Sequence, residues 1–350
     1  MREEIKLTQY SKGGGCGCKV APAVLQQILQ TQNKAPFQNL LVGNESSDDA
    51  AVYQINKDTA VISTTDFFLP IVDDAYDFGR IAAANAISDV YAMGGSPLMA
   101  IAILGWPVET LSAETAQRVL EGGRAVCTEA GIPLAGGHTI DSHDPIFGLA
   151  VTGIVTTKNL KPNNKARAGD HLFLTKPLGV GVLSTALKRG VLQNEHYHCL
   201  MEQMTSLNKT GEGLGAIEGV HAMTDVTGFG LLGHLMEMAE GSGLSAELTY
   251  SSIKKMEGLG GYLQQRTIPD ATFRNWNSYS NKVQFEKGVN VMEAFNLLPD
   301  PQTNGGLLIA VGDHALTEVA AILNASGLGS YTQPVGRFTE PGSKVIHVKP

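Results

Sequence analysis

Strand-like and helix-like segments alternate along the first half of the chain, and this alternation restricts it to folds that pack helices against a sheet. β-Branched and aromatic residues between turn signals predict strands at 51–55 and 59–68. A helical pattern follows at 77–93, and the strongly apolar segment 97–106 predicts another strand. The pattern is typical of an α/β or α+β fold and does not choose between the two.

The rest of the sequence predicts a domain boundary and the remaining helices and strands. A segment rich in Lys, Asn and Pro at 156–168 predicts a domain boundary. The other predicted elements are helices at 21–31, 112–130, 181–189 and 229–240, and strands at IPLAGG, IFGLAVTGIV, HLFLT, 244–250, 306–311, 332–338 and 343–348. The expected parts are an N-terminal glycine-rich loop and helix at 1–45, one domain at 46–157 and a second domain at 168–350.

Composition excludes several classes of protein. Hydrophobic residues make up 43% of the 350 residues and charged residues 17%, which excludes an intrinsically disordered chain. The densest apolar stretch, 99–108, is too short to cross a bilayer, so no membrane partner is expected. Basic tracts interleaved with aromatic residues are absent, so nucleic-acid binding is not expected either. Four cysteines and an N-terminus without an apolar signal core predict a cytoplasmic protein.

Acidic side chains concentrate at the ends of predicted elements. Most of the formal net charge of −8 falls between Glu45 and Asp89, and nearly all of these acids are Asp. Asn85 lies four residues before Asp89, so both share one face of the predicted helix. The aspartates at element ends are Asp48, Asp49, Asp66, Asp89 and Asp225.

These aspartates have two interpretations. A single buried Asp at the end of a loop is usually structural. Several in an apolar setting would repel one another, by about 1 kcal/mol per pair at ~4 Å in water and about 4 at an effective dielectric near 20. Magnesium would relieve this repulsion, because it binds carboxylates together with the phosphate oxygens of a nucleotide. The set therefore predicts that ATP binds through a metal.

A glycine loop, GGGCGCK, carries a second chemistry. Glycines on both sides of Cys16 predict an accessible thiol, and Lys19 three residues later favours its reactive thiolate form. Lys19 is also placed to contact a transferring phosphoryl group. The alternatives are a disordered N-terminal tail with incidental thiols and a Cys-X-Cys metal carrier. Cys18 is a weaker candidate than Cys16 and is most simply a neighbouring thiol.

Several sequence blocks occur in a fixed order over nearly the whole chain: LTQYSKGGGCGCKV, LLVGNESSDDAAVY, STTDFF, FGRIAAANAISDVYAMGG, AILGWP, LAGGHTID, FGLAVTGIV, AMTDVTGFGLLGH and DPQTNGGLL. In this order they resemble the selenophosphate synthetase (selenide, water dikinase) family. The resemblance implies that hydrogen selenide, ATP and water give selenophosphate, AMP and orthophosphate, which supplies selenium for selenocysteine and selenouridine. It also implies the two-domain fold of the aminoimidazole-ribonucleotide-synthetase-like (PurM-like) proteins. In that fold the N-terminal domains pair into a shared β-barrel in a homodimer, and ATP binds in the acidic cleft.

The resemblance also assigns residues. Cys16 and Lys19 are expected to be catalytic, with Cys16 a nucleophile, a selenium carrier or a selenide-orienting group. Magnesium is expected on Asp49, Asp89 and Asp225. The expected ATP contacts are Lys19, Ser46, Ser47, Asp48, Asp66, Asn85, Asp89, Gly137, His138 and Thr139. One departure is Asn304 in DPQTNGG, where the family pattern leads us to expect Ser; it affects only a local turn or contact.

Rival functions differ in their products. An ATP-dependent amidine-forming synthetase or a thiamine-phosphate kinase would use a similar aspartate site, but neither explains the CGCK segment and both should leave ADP. A selenium- or metal-binding module with a vestigial nucleotide site would bind its cargo stoichiometrically and produce no AMP.

Overall fold

The computed structural model describes residues 6–10, 14–20, 22–29, 37–43 and 48–350. These residues form two β-sheets, of six and seven strands, with helices packed on both. Among the helices of these residues, none is long and apolar enough to cross a membrane.

The first sheet has the strand order β1-β2-β3-β6-β4-β5. Its strands are β1 (Leu40–Val42), β2 (Ala51–Gln54), β3 (Thr59–Phe68), β4 (Ser96–Trp106), β5 (Leu134–Asp141) and β6 (Ile146–Thr156). Helices α1 (Pro22–Leu29), α2 (Ala75–Ala92) and α3 (Ala113–Glu129) belong to the same half. Neighbouring strands are antiparallel except β4 and β5, which are parallel because α3 connects them. The strands predicted at 51–55, 59–68 and 97–106 are confirmed to within one residue at each end.

Helix α2 is almost completely buried and brings site residues to the sheet. Asp74 caps its N-terminus by accepting a 2.9 Å hydrogen bond from the amide of Asp77. Gly79 allows α3 to approach closely, since a Cβ at this position would lie 1.9 Å from the carbonyl oxygen of Val119. The predicted helix at 77–93 is therefore confirmed, and it is held by tight packing against α3.

Within the part of the chain that the structure describes, one face of the first sheet carries no helix. Along β3 and β4, Ile62 and Ala102 are buried on the helix side, whereas Phe67 and Ile101 on the other side are 51% and 46% exposed. Strand side chains alternate between faces, so these apolar groups share an open surface. A contiguous apolar surface of this kind is typical of a contact with another protein.

The second sheet has the strand order β10-β13-β9-β12-β7-β11-β8. Its strands are β7 (His171–Leu174), β8 (Val220–Asp225), β9 (Ser245–Thr249), β10 (Val283–Phe285), β11 (Leu307–Val311), β12 (Gly336–Thr339) and β13 (Ile346–Lys349). Its helices are α4 (Val180–Lys188), α5 (Asn194–Thr205), α6 (Thr210–Gly215), α7 (Gly230–Gly241), α8 (Leu259–Gln264), α9 (Asp270–Tyr279), α10 (Val291–Leu297) and α11 (Leu316–Ala325). The helices predicted near 181–189 and 229–240 are confirmed as α4 and α7, whereas the sequence pattern predicts neither α5 nor α9.

Candidate active site

Three aspartates meet where the first sheet, α2 and the second sheet come together. Asp49 lies just before β2, Asp89 near the end of α2, and Asp225 at the end of β8. Asp89 and Asp225 are buried, and the Oδ2 atom of Asp49 is buried without a hydrogen-bond partner. The fold therefore brings together side chains that are far apart in the sequence.

Hydroxyl groups connect these aspartates. Asp225 accepts a 2.5 Å hydrogen bond from Ser88, the residue before Asp89, and Asp49 accepts a 2.8 Å bond from Thr224, the residue before Asp225. Because each hydroxyl donor neighbours another aspartate in the sequence, all three carboxylates lie in one polar cluster.

Burial is the largest cause that raises the pKa of each carboxyl group in the cluster. Repulsion adds to it: Asp225 and Asp89 raise the pKa of Asp49 further, and Asp66 and Asp225 do the same for Asp89. Burial also raises the pKa of Asp225, although the hydrogen bond from Ser88 opposes the shift. Three buried negative charges are therefore unfavourable here unless a cation lies among them.

The donor set suits a hard cation, since it consists of carboxylate oxygens and includes the unpaired Oδ2 of Asp49. In the conformation described, no three Asp, Glu, His or Cys side chains of residues 6–10, 14–20, 22–29, 37–43 and 48–350 converge closely enough to chelate one ion. The carboxylates are instead bonded to neighbouring hydroxyls.

Asp66 and Lys19 form an ion pair beside this cluster. The Nζ atom of Lys19 lies 3.3 Å from Oδ1 of Asp66, and Nδ2 of Asn85 donates a 2.6 Å hydrogen bond to Oδ2 of Asp66. Burial lowers the pKa of Lys19, but the negative charges of Asp66, Asp89 and Asp225, together with Cys16, raise it to a net value well above normal. Lys19 is therefore protonated, and its side chain is still 36% exposed.

Cys16 lies in the short 3₁₀ helix Gly15–Cys18, and its side chain contacts the side-chain amide of Asn85. Its Sγ atom donates a 3.2 Å hydrogen bond to Oδ1 of Asn85, and only 1% of the residue is exposed. Burial raises the pKa of the Cys16 thiol far above normal, and the nearby charge of Lys19 only partly opposes this. The expectation of an accessible thiolate is therefore wrong for this conformation, because burial outweighs the neighbouring ammonium group.

The second thiol of the loop faces its own backbone. Cys18 donates a 3.0 Å hydrogen bond from Sγ to the carbonyl oxygen of Gly15. Burial raises the pKa of this thiol as well. Cys18 thus stabilises the turn that carries Cys16.

The remaining expected ATP contacts lie elsewhere or outside the described residues. Asp48 accepts a 2.8 Å hydrogen bond from the amide of Asn163, in the segment that links the two sheets. Ser46 and Ser47 fall outside the described residues. Gly137, His138 and Thr139 lie on edge strand β5, with Gly137 and Asp66 in the same row of the sheet. Three strand spacings separate these two residues, about 14 Å, so the chain does not bring this turn beside its own aspartates.

The structure adds residues to the site to which the sequence analysis assigns no role there. Ser88, Thr224 and Thr64 donate hydroxyl hydrogen bonds to the three aspartates. Thr303 and Asn304 contact Cys16 and Asn85 from the second sheet. The sequence signals for this last pair are a polar run, DPQTN, directly before an apolar strand, and the departure from the family pattern at Asn304.

Comparisons with known proteins identify the family of the chain. The family "AIR synthase related protein, N-terminal domain" matches residues 47–155, and the corresponding C-terminal domain family matches residues 167–349. The "Selenide, water dikinase" of Pseudomonas putida is 54% identical over 99% of this chain and 100% of its own length. The chain belongs to the selenide, water dikinase family. The family member of Photobacterium profundum is 59% identical over 90% of both chains.

Solved structures of more distant proteins share the fold of this selenide, water dikinase family member. Thiamine-monophosphate kinase from Stenotrophomonas maltophilia has a TM-score of 0.64 at 19% identity and covers 93% of this chain and 94% of its own. The hydrogenase maturation protein HypE in complex with ATP has a TM-score of 0.62 at 18% identity, covering 98% of this chain and 93% of its own. At these identities the likeness shows the two-domain α/β fold alone.

Proposed function

We propose that the chain makes selenophosphate from selenide and ATP at the junction of its two sheets, with AMP and orthophosphate as the other products. The observation that carries this proposal is the connected set Lys19–Asp66–Asn85–Cys16, which places an amine and a thiol beside three buried aspartates. The aspartates alone would suit any ATP-dependent enzyme of this fold. The thiol beside them is the feature that favours a selenium substrate.

We assign magnesium to Asp49, Asp89 and Asp225. When bound, magnesium supplies positive charge that neutralises the phosphates of ATP. The unpaired Oδ2 of Asp49 and the raised pKa values of all three carboxyl groups support this assignment. Without positive charge, the same carboxylates would repel a triphosphate.

Lys19 is assigned to the transferring phosphoryl group. Its ammonium group is protonated and partly exposed at the edge of the cluster, so it can donate to a phosphoryl oxygen as charge develops there. Selenide attacks the γ-phosphoryl group of ATP to give selenophosphate and ADP. Water then cleaves the β-phosphoryl group of ADP, which yields AMP and orthophosphate.

Cys16 is assigned the orienting role among the three that the resemblance leaves open. A protonated thiol donates a hydrogen bond and is a poor nucleophile. Burial raises the pKa of the Cys16 thiol and so favours its protonated form, whose single S–H donates to Asn85 in the structure and would turn from Asn85 to selenide in the orienting role. The loop that carries it also shields the site from bulk water, which would otherwise compete with selenide for the first phosphoryl group.

A homodimer forms, in this proposal, through the open face of the first sheet. Phe67 and Ile101 expose large apolar areas there, and β5 with Gly137–Thr139 forms the adjacent edge. Pairing two such faces would bury these side chains and place the β5 turn at the interface. Ile101→Glu should therefore give a monomer in size-exclusion chromatography with light scattering. Val191→Glu, at an exposed apolar residue of the second half, is the control that should leave the mass unchanged.

A cytoplasmic location is part of the same proposal. All four cysteines are free thiols, and both thiols and selenide persist only in a reducing compartment.

Phosphorus NMR tests the reaction directly. The protein is incubated with ATP, magnesium and selenide under reducing, anaerobic conditions, with a matched sample that lacks selenide. Selenophosphate, AMP and orthophosphate in equal amounts are expected. AMP and orthophosphate without a selenophosphate signal would refute phosphoryl transfer to selenide, and accumulation of ADP alone would favour a kinase of the same fold.

A further inference from the structure

A buried turn of the second sheet contacts the catalytic loop of the first half. The turn contains Thr303 and Asn304 and lies between α10 and β11. We propose that Thr303 and Asn304 are positioning residues that hold Cys16 in place against Asn85. This inference rests on the proposed role of Cys16 and extends it to two residues that contact Cys16 and Asn85 from the second half of the chain.

Thr303 holds the backbone of the loop. Its Oγ1 atom accepts a 3.0 Å hydrogen bond from the amide of Cys16, and the residue is only 2% exposed. The loop passes so closely that a Cβ on Gly15 would lie 2.4 Å from the same Oγ1 atom. Gly15 also has a φ of +53°, which favours glycine. The loop is therefore shaped to rest directly on the Thr303 hydroxyl group.

Asn304 fixes the orientation of Asn85, whose side-chain oxygen accepts the hydrogen bond from the Cys16 thiol. Its backbone amide donates a 2.7 Å hydrogen bond to Oδ1 of Asn85, the oxygen to which Cys16 also donates. The other end of the Asn85 amide donates to Asp66. With donors on its oxygen and an acceptor at its nitrogen, Asn85 has only one satisfactory orientation. Asn304 thus determines where the acceptor for the Cys16 thiol lies.

Asn304 is itself held from three sides. Its Nδ2 atom donates to the backbone carbonyl oxygens of Met204 and Ser206, at 2.9 and 2.8 Å, and its own backbone carbonyl oxygen accepts a 2.9 Å hydrogen bond from Nζ of Lys176. The residue is fully buried and has a φ of +51°, a conformation that Asn adopts more readily than most residues. The serine expected from the family pattern has one hydroxyl donor and no side-chain amide, so it could not donate to both carbonyl oxygens.

The residues before the pair anchor the turn to the second sheet. Gln302 accepts hydrogen bonds from the amides of Gly179 and Val180, and Asp300 accepts one from Gly181, at the start of α4. These hydrogen bonds hold the turn rigidly, so its contact with the loop can keep Cys16 in one position.

Matched variants of Thr303 test the proposal. Thr303→Val keeps the shape but removes the acceptor, whereas Thr303→Ser keeps the hydroxyl group. The readout is the rate at which iodoacetamide alkylates Cys16 in the substrate-free protein, resolved from the other cysteines by mass spectrometry. Loss of a buried hydrogen bond should raise this rate roughly tenfold in Thr303→Val, and Thr303→Ser should stay close to the wild type. We expect kcat to fall by a similar factor in Thr303→Val, with little change in KM for ATP.

A folded Thr303→Val variant with the wild-type alkylation rate would overturn the proposal, even if its melting temperature fell. Should Thr303→Val not fold, Asn304→Gly replaces it, because glycine keeps the left-handed conformation and removes both side-chain hydrogen bonds. Faster alkylation of Cys16 in Asn304→Gly supports the proposal, and an unchanged rate overturns it. The alkylation rate is measured without turnover, so failure of the selenide reaction in the NMR experiment is a separate result.

Discussion

Replacing Asp225 by Asn is expected to stabilise the magnesium-free protein and to remove most of its stabilisation by magnesium. Asp225 is only 1% exposed, and burial raises its pKa. Its negative charge also raises the pKa of Asp49 and of Asp89. Asn retains an oxygen that can accept the hydrogen bond from Ser88, so the substitution removes charge with little loss of hydrogen bonding.

The size of the effect follows from the repulsion that is relieved. Two like charges ~4 Å apart cost about 4 kcal/mol at an effective dielectric near 20. Lys19 and His234 attract the Asp225 carboxylate and offset part of this cost. A net stabilisation of about 1 to 3 kcal/mol is expected, since removing the charge also forfeits these attractions. In a chain of this size it raises the melting temperature by roughly 1 to 4 °C.

Thermal melts in EDTA and in excess magnesium with a non-hydrolysable ATP analogue measure both effects. The wild type should gain stability from magnesium and the analogue, and Asp225→Asn should gain much less. Asp144→Asn, which neutralises an exposed carboxylate outside the site, is the matched control. If Asp225→Asn melts below the wild type in EDTA while the control is unchanged, the reasoning from charge repulsion is refuted.

Three further outcomes are expected. Because carboxyl groups with raised pKa values bind more protons in the folded state than in the unfolded state, the protein in EDTA should lose stability as the pH rises from about 4, the ordinary pKa of Asp, through neutrality. Thermal melts across this range should show a shallower decline for Asp225→Asn than for the wild type, and equal slopes would contradict the prediction. Lys19→Ala should lower kcat about a hundredfold and change KM for ATP less than about threefold. Steady-state kinetics decide this, and equal effects on both would limit Lys19 to nucleotide binding. Gly79→Ala should destabilise the protein by about 3 kcal/mol, because the new Cβ meets the backbone of Val119. Denaturant titration measures this loss, and Gly260→Ala, where a Cβ meets nothing within 4 Å, is the control.

Elements with a clear local pattern are predictable from the sequence. Strand β3 occupies the predicted residues 59–68, and α2 lies within two residues of the predicted 77–93. Helix α9 shows why others escape prediction. The residues it buries include Thr272 and Asn275 as well as Ala271 and Tyr279, so polar side chains occupy part of its inward face. Its position depends on hydrogen bonds such as those from Asn275 to the carbonyl oxygens of Gly228 and Pro299.

Some residues of the candidate site can be identified from the sequence, and others only from the structure. The sequence supplies the aspartates, the thiol and the lysine, because their residue types and order are local information. It gives no indication that Thr303 and Asn304 contact Cys16 and Asn85, because those contacts join residues more than two hundred positions apart.

The chemical identity of the site was thus determined by the sequence, whereas the charge state of its groups was decided by the tertiary structure. Lys19 predicts a thiolate at Cys16 when only neighbours along the chain are considered. Folding buries that thiol, and the cost of placing a charge away from water exceeds the attraction of one partly exposed ammonium group. The pKa of a group depends on its depth and on its neighbours in space, and only the folded chain sets both.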